Sequence, residues 1–384
     1  MSLTGTNTRM RTTMMMKRPI FAAAAAGAVA LSLAACGNSS TPASSGSSTG
    51  GSASADTSSM PTVKMMVGGI DKQIYLPYQL AQQLGYYEKY GVKMELSTEQ
   101  QGGVGAEEAM ASGQVDMAGA WYIHTVDFQA KGKKVTNLIQ LSGAPGERIM
   151  CSPNANVHSG ADLKGKTVGV TDLGSGTDEL TQFIASKAGL SKNDYHTIAV
   201  GAGATAIAAI QRGSADCVMT TQPTVGALES KNLAVPAIDL ASADGAKAAL
   251  GSTLPSAGLL AQTDWVNSHQ DEAQKVVDAL VDTMHWISTH SAQEIADKLP
   301  PAFVQNSTIS KDDYVKALDQ DKGQFLPDGI MPAGGPKTVF DEEKTIGVDT
   351  SKVNIADTFD QKYALAALKL EGYPATTTPA GADG

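Results

Sequence analysis

Cysteine is nearly absent: the 384 residues hold three, Cys36, Cys151 and Cys217. None forms a C-x-x-C pair, so neither a zinc ribbon nor a dithiol redox motif is available. Base is also scarce, with 29 Lys+Arg against 39 Asp+Glu and a net charge of −10. With no basic cluster, that balance gives nucleic acid no footing. Aromatic residues are 5% of the chain. No apolar run reaches the roughly 20 residues that cross a bilayer as a helix. There is no G-x-S-x-G, no H-E-x-x-H and no Gly-Lys-Ser/Thr phosphate loop. The histidines (His124, His158, His196, His269, His285 and His290) are scattered, and His285 and His290 are five apart, off the spacing of a metal-binding helix face. They read as half-buried or surface histidines. These gaps make the expectation that of a chain without metal, cofactor or enzymatic activity.

What is present begins at the N-terminus. Lys17 and Arg18 precede an apolar stretch, residues 20–35, broken only by Gly27 and Ser32, which ends in Leu33-Ala34-Ala35-Cys36. A short charged segment, an apolar stretch and small residues before a cut are the parts of a secretory signal. The Cys directly after Ala35 marks it as a lipoprotein signal, with the alternative of a short anchor left uncleaved. The reading predicts loss of residues 1–35, lipid on Cys36 and a place on the outer face of the cell membrane. The true start then falls among Met14, Met15 and Met16. Residues 37–59 are nearly all Ser, Gly, Thr and Ala, too poor in apolar surface to order. A coil of that kind spans about 25–30 Å. Removing Arg9, Arg11, Lys17 and Arg18 with the signal leaves 25 basic and 39 acidic residues, a net of −14.

From Met60 onward the chain is long enough for two cores. Apolar runs alternate with helical patterns: strand 63–67, helix 78–90, strand 92–96, helix 105–112, strand 115–118. The series then repeats as strand 167–171, helix 178–188, strand 196–200, helix 204–212 and strand 217–220. Such alternation implies parallel strands with right-handed crossovers. Each half carries a helix that stops at a Gly followed three residues on by Asp, Gly113/Asp116 and Gly213/Asp216. The remainder reads as helical over 271–289, 291–299, 311–319 and 359–370, with residues 371–384 as a disordered tail.

Tyr75-Leu76-Pro77-Tyr78, Gly85-Tyr86-Tyr87 and Tyr90-Gly91-Val92 resemble the opening of the nitrate/sulfonate/taurine and thiamine-pyrimidine group of substrate-binding proteins. Ala161-Asp162-Leu163-Lys164-Gly165-Lys166-Thr167-Val168-Gly169-Val170 resembles the start of their second lobe. Gly213-Ser214-Ala215-Asp216, Pro223 and Pro327-Asp328-Gly329-Ile330-Met331-Pro332 fit the same group. Cys217 departs from it, standing where a small residue such as Ala is usual, and Trp121-Tyr122 is more aromatic than a nitrate site needs. The resemblance implies a type II periplasmic-binding-protein fold of class α/β, two lobes joined by two crossover strands. Lobe I takes residues 60–150 and 257–370, and lobe II residues 151–256. The crossovers are expected near 148–152 and 257–262. It also implies a monomer that captures a small organic solute and delivers it to an ABC permease with its ATPase. The solute is expected to be a sulfonate, an aromatic or other carboxylate, or a pyrimidine, with nitrate less favoured. Alternatives are a sensor that signals to a membrane receptor, and a pyrimidine-synthase-like enzyme.

Open parallel sheets bind ligands beyond the carboxyl ends of their strands. That rule selects loops 69–78, 101–105 and 120–124 in lobe I, and 173–177, 201–205 and 220–223 in lobe II. Tyr75, Trp121 and Tyr122 are expected to sandwich a flat solute. The backbone of Gly174-Ser175-Gly176-Thr177 precedes a helix and offers N–H groups to an anion, with hydroxyls from Ser175 and Thr177. The alternative is an ordinary loop whose helix end is already filled by Asp178 and Glu179. Thr221 and Gln222 are candidate hydrogen-bond partners. Arg148, beside Glu147, binds an acidic solute or forms a structural Arg–Glu pair. Cys151 and Cys217 either join or stay as two buried thiols.

Overall fold

The computed structural model describes residues 60–99 and 103–381. Cys36, the signal and the Ser/Gly tract lie outside the described residues. Among the described residues no helix is long and apolar enough to cross a membrane.

Among the described residues, ten strands form two five-stranded sheets. They are β1 (Thr62–Val67), β2 (Lys93–Thr98), β3 (Met117–Trp121), β4 (Val135–Gln140), β5 (Glu147–Cys151), β6 (Thr167–Val170), β7 (His196–Ala199), β8 (Cys217–Thr221), β9 (Val235–Asp239) and β10 (Ala257–Gln262). The first sheet runs β2-β1-β3-β10-β4 and the second β7-β6-β8-β5-β9. In each, three parallel strands are followed by one antiparallel strand that the chain lays in on its way between lobes, β10 in the first and β5 in the second. The fold is thus the expected two-lobed α/β clamshell.

The Gly/Asp pairs show why the two halves are alike. Gly113 (φ 76°) and Gly213 (φ 68°) end their helices in the left-handed conformation that glycine adopts without strain. Three residues on, Asp116 Oδ2 accepts from the Lys64 N–H and Asp216 Oδ2 from the Thr167 N–H, each at 2.8 Å. Each aspartate therefore pins the start of a third strand to the start of the first.

The first change of lobe falls a few residues before the expected boundary at 150/151. All of β5 belongs to the second sheet, so the chain crosses at residues 141–146 and returns at 251–256. The two crossings touch: Ser142 Oγ and Ser256 Oγ are 2.8 Å apart, and Ser256 also donates to the Ala144 carbonyl at 2.8 Å. Cys151 and Cys217 face each other on β5 and β8 and form a disulfide. This settles the open choice between bridge and free thiols.

Expected helix 78–90 is two helices, Leu76–Leu84 and Tyr86–Lys89, parted at Gly85 with φ 71°. The tail reading is also corrected. The helix Lys362–Glu371 is followed by a segment tied down at Asp328, whose carboxylate accepts from the backbone N–H and hydroxyl of both Thr376 and Thr377. Helices after the second crossing reach both lobes. Lys311–Asp321 packs on Thr224–Ser230 of lobe II, and Gly335–Ile346 packs on both Ile123–Ala130 of lobe I and Gly176–Lys187 of lobe II.

Candidate functional site

The lobes are closed on one another. Trp121 is the last residue of β3, and Gly176 opens the helix Gly176–Lys187 across the cleft. A Cβ built on Gly176 meets Trp121 Cδ2 at 2.7 Å and Cζ3 at 3.1 Å, and lies closer still to Cε3. The indole lies on bare backbone, a contact that only glycine permits. Nearby, the Gln73 N–H donates to the Gln222 carbonyl at 3.0 Å, joining the two lobes by main chain.

Tyr75 ends the short turn Gln73–Tyr75 and is fully buried, its ring 6.2 Å from that of Tyr78. Lys72 Nζ sits 5.8 Å from the Tyr75 ring centre and donates to the Gly68 carbonyl. Burial, Tyr78 and then the charges of Glu107, Glu147 and Glu99 hold the Tyr75 hydroxyl well above its ordinary range. Acids thus surround this tyrosine. Burial pushes Glu147 up to about 8 against the pull of Lys72 and Arg148. Burial likewise lowers Lys72, against the pull of Glu147, Glu99 and Asp71.

The other expected residues are placed differently. Tyr122 turns its hydroxyl to Thr358 Oγ1 in the C-terminal segment. Ser175 and Thr177 bond to each other (2.8 Å) and to Thr171, and Ser175 donates to the Asp172 carbonyl at 2.7 Å. Asp178 accepts from the Gly174 N–H at 3.0 Å. The loop is therefore satisfied from within, as in the ordinary-loop alternative. Thr221 donates to the Gly146 carbonyl at 2.6 Å. Gln222 Oε1 accepts from the Gly226 N–H, while its buried Nε2 has no partner among the described residues. Arg148 is committed to Asp321 through both Nη atoms (2.7 and 2.8 Å) and reaches Asp239 through Nε at 3.2 Å. The pairing is structural, though with two aspartates in place of the expected glutamate, and it commits Arg148 within the fold.

One group of residues escaped the sequence reading. His124, expected at or near the surface, is 2% exposed. Its Nδ1 lies 3.1 Å from Asp127 Oδ2 and 3.9 Å from Glu179 Oε2, and its Nε2 lies 3.3 Å from Glu107 Oε1. Burial disfavours the imidazolium, but Glu107 and Asp127 outweigh it and raise the His124 pKa. Burial pushes Glu107 up to about 7. His124 and Asp127 sit three apart on the helix Ile123–Ala130. Glu107 and Glu179 arrive from other helices.

Comparison with known proteins places the chain among relatives. Three curated relatives carry one name, 4-amino-5-hydroxymethyl-2-methylpyrimidine phosphate synthase. That of Legionella pneumophila is 28% identical over 151 residues, 39% of this chain and 47% of the relative. That of Schizosaccharomyces pombe is 33% identical over 127 residues, 33% of this chain and 36% of the relative. The chain spans under half the length of the curated relatives it matches. These names overturn the expectation that the chain is no enzyme, which rested on missing motifs. Among solved structures, a protein of Bordetella bronchiseptica RB50 aligns with TM-score 0.76 and 28% identity, covering 81% of this chain and 98% of that one. The alkanesulfonate-binding protein SsuA of Xanthomonas axonopodis pv. citri, bound to MOPS, aligns with TM-score 0.58 and 19% identity over 79% of this chain and 99% of that one. The nitrate-binding protein NrtA of Synechocystis PCC 6803 aligns with TM-score 0.64 and 14% identity over 83% and 90%. At those two identities the likeness is one of fold. A family profile described as NMT1/THI5 like matches residues 74–294, more than half of the chain. By that match, on this two-lobed fold, the chain belongs to the NMT1/THI5-like family.

Proposed function

We propose that the chain is an extracytoplasmic solute-binding protein, tethered through Cys36, that closes its lobes on a small flat organic solute and delivers it to an ABC import permease. One observation carries the reading: Trp121 at the carboxyl edge of the first sheet lies against Gly176 at the start of a lobe II helix, so the strand ends of both lobes face one space. The clamshell supplies the mechanism. Open forms admit solute, and contacts to both walls shift the population toward closed. The disulfide suits an oxidising compartment.

The walls select among the solutes. The charges of Glu107, Glu147 and Glu99 fall on Tyr75, and Lys72 Nζ sits 5.8 Å from its ring. Arg148 is spent on Asp321 and Asp239. Aromatic faces with carboxyl neighbours favour a heterocycle bearing amino groups, an aminopyrimidine, over a sulfonate or carboxylate. A second reading, chemistry on a pyrimidine, is favoured by the shared name of the three curated relatives.

A thermal-shift screen of the purified chain tests both. The panel holds aminopyrimidines, alkyl- and arylsulfonates, aromatic carboxylates, taurine and nitrate. A solute at 100 times its Kd adds about 2.7 kcal/mol. A shift confined to aminopyrimidines, recovered unaltered by mass spectrometry, supports capture. Their conversion supports the second reading. A shift confined to sulfonates would sink the aminopyrimidine assignment. Membrane pelleting of Cys36→Ser protein would sink the lipid tether.

A further inference from the structure

A second buried constellation, beside the aromatic wall, has no part in stacking a solute. His124 and Asp127 come from the helix Ile123–Ala130, Glu107 from Val104–Ala111, Glu179 from the first turn of Gly176–Lys187, and Glu342 and Glu343 from Gly335–Ile346. One ligand atom each from His124, Asp127 and Glu179 lie within 4.8 Å of one another. An ion at the centre of three atoms so spaced stands at most about 2.8 Å from each, a little beyond a calcium-like distance. A small side-chain movement brings it to the roughly 2.0–2.2 Å of zinc.

A second observation is independent of that spacing. Both carboxylate oxygens of Glu342 are buried without a hydrogen-bond partner among the described residues, and the Glu343 carboxyl lies against that of Asp127. Glu342 and Glu343 are 0% exposed. The fields of Glu342, Glu343 and Asp127 all fall on Glu179, and Lys131 is the nearby base acting on Glu107, Asp127 and Glu343. A carboxyl held out of water needs a partner, and the imidazole of His124 reaches only Glu107, Asp127 and, at 3.9 Å, Glu179. A pocket of about 440 Å³, lined by Val104, Glu107, His124, Asp127, Lys131 and Gly174 among others, opens beside the cluster and offers an ion a way in.

We infer that His124, Asp127 and Glu179, with Glu343 beside them, form a divalent-cation site that ties lobe I to lobe II. One imidazole with carboxylates suits zinc, manganese or iron(II) more than a soft monovalent ion. Because Glu179 belongs to the lobe opposite His124 and Asp127, the site is complete only when the clamshell is shut. The inference rests on lobe closure and not on which solute the cleft takes.

The test titrates ZnCl2, MnCl2 and MgCl2 into EDTA-dialysed full-length protein by calorimetry. Expected is one zinc or manganese ion per chain, with Asp127→Asn and Glu179→Gln each weakening it at least tenfold. Both changes keep side-chain shape and remove buried charge, and melting in EDTA checks that each variant is folded. No saturable binding of zinc or manganese overturns the site. Wild-type affinity in Glu179→Gln overturns the bridging of lobes, and wild-type affinity in Asp127→Asn overturns the ligand set. A screen in which every solute fails leaves the cation titration unaffected, so the two readings fail separately.

Discussion

Gly176→Ala isolates lobe closure from folding. The residue starts a helix and is absent from the positive-φ glycines, so alanine meets no backbone strain there. Within a helix alanine is favoured over glycine by up to about 1 kcal/mol. The new methyl harms only the closed form, where it falls within 2.7 Å of Trp121 Cδ2. Overpacking of this kind costs about 1–3 kcal/mol. At about 1.4 kcal/mol per tenfold, solute affinity should weaken about 5- to 150-fold, while the solute-free melting temperature stays level or rises. Calorimetry with the solute found by screening reads the first quantity, and differential scanning the second. The double variant Trp121→Ala/Gly176→Ala makes the reasoning stricter, since without the indole the methyl has nothing to strike. It should bind no worse than Trp121→Ala alone, a non-additive cycle. Wild-type affinity in Gly176→Ala, or plain additivity in the double variant, would refute the closed contact.

Glu147 carries a folded-state pKa of about 8 against an ordinary 4.5. The native state therefore holds its proton more tightly than the unfolded chain. Stability should fall as pH rises from about 4.5 to about 8 and then level off. Glu147→Gln should flatten that fall, giving denaturant midpoints near wild type at pH 5 and above it at pH 8.5; parallel profiles would remove Glu147 as the cause. The Cys151–Cys217 bridge joins residues 66 apart. Loop-closure entropy puts its removal at about 4 kcal/mol, so Cys151→Ser/Cys217→Ser should unfold at markedly lower urea, and an unchanged midpoint would count against the bridge.

Much of the architecture was legible because it is local. The helix-ending glycines and their aspartates, repeated a hundred residues apart, reported two like lobes before any contact was known. β4 and β9 went unread for opposite reasons. β4 is buried throughout yet carries Asn137 and Gln140, whose side chains bond to each other at 3.0 Å. β9 is a half-exposed edge strand interrupted by Pro236. Neither shows a clean alternation. Among the site residues, Trp121 and Gly176 were visible as strand-end and loop positions, though not their mutual contact. Glu107, Glu179 and Glu343 were invisible as a group, since residues so far apart share no spacing, and their convergence on His124 and Asp127 is a product of lobe packing alone.

The grip of the C-terminal helices has a kinetic consequence. Arg148 of lobe II is held by Asp321 at the end of Lys311–Asp321, and Gly335–Ile346 lies against a helix from each lobe. A bound solute would sit behind these contacts as well as its own. Its residence time would then follow the rate at which the Arg148–Asp321 pair and the helix seam part. Solutes of quite different affinity would leave with similar rates, and their affinities would differ mainly in how fast they are taken up.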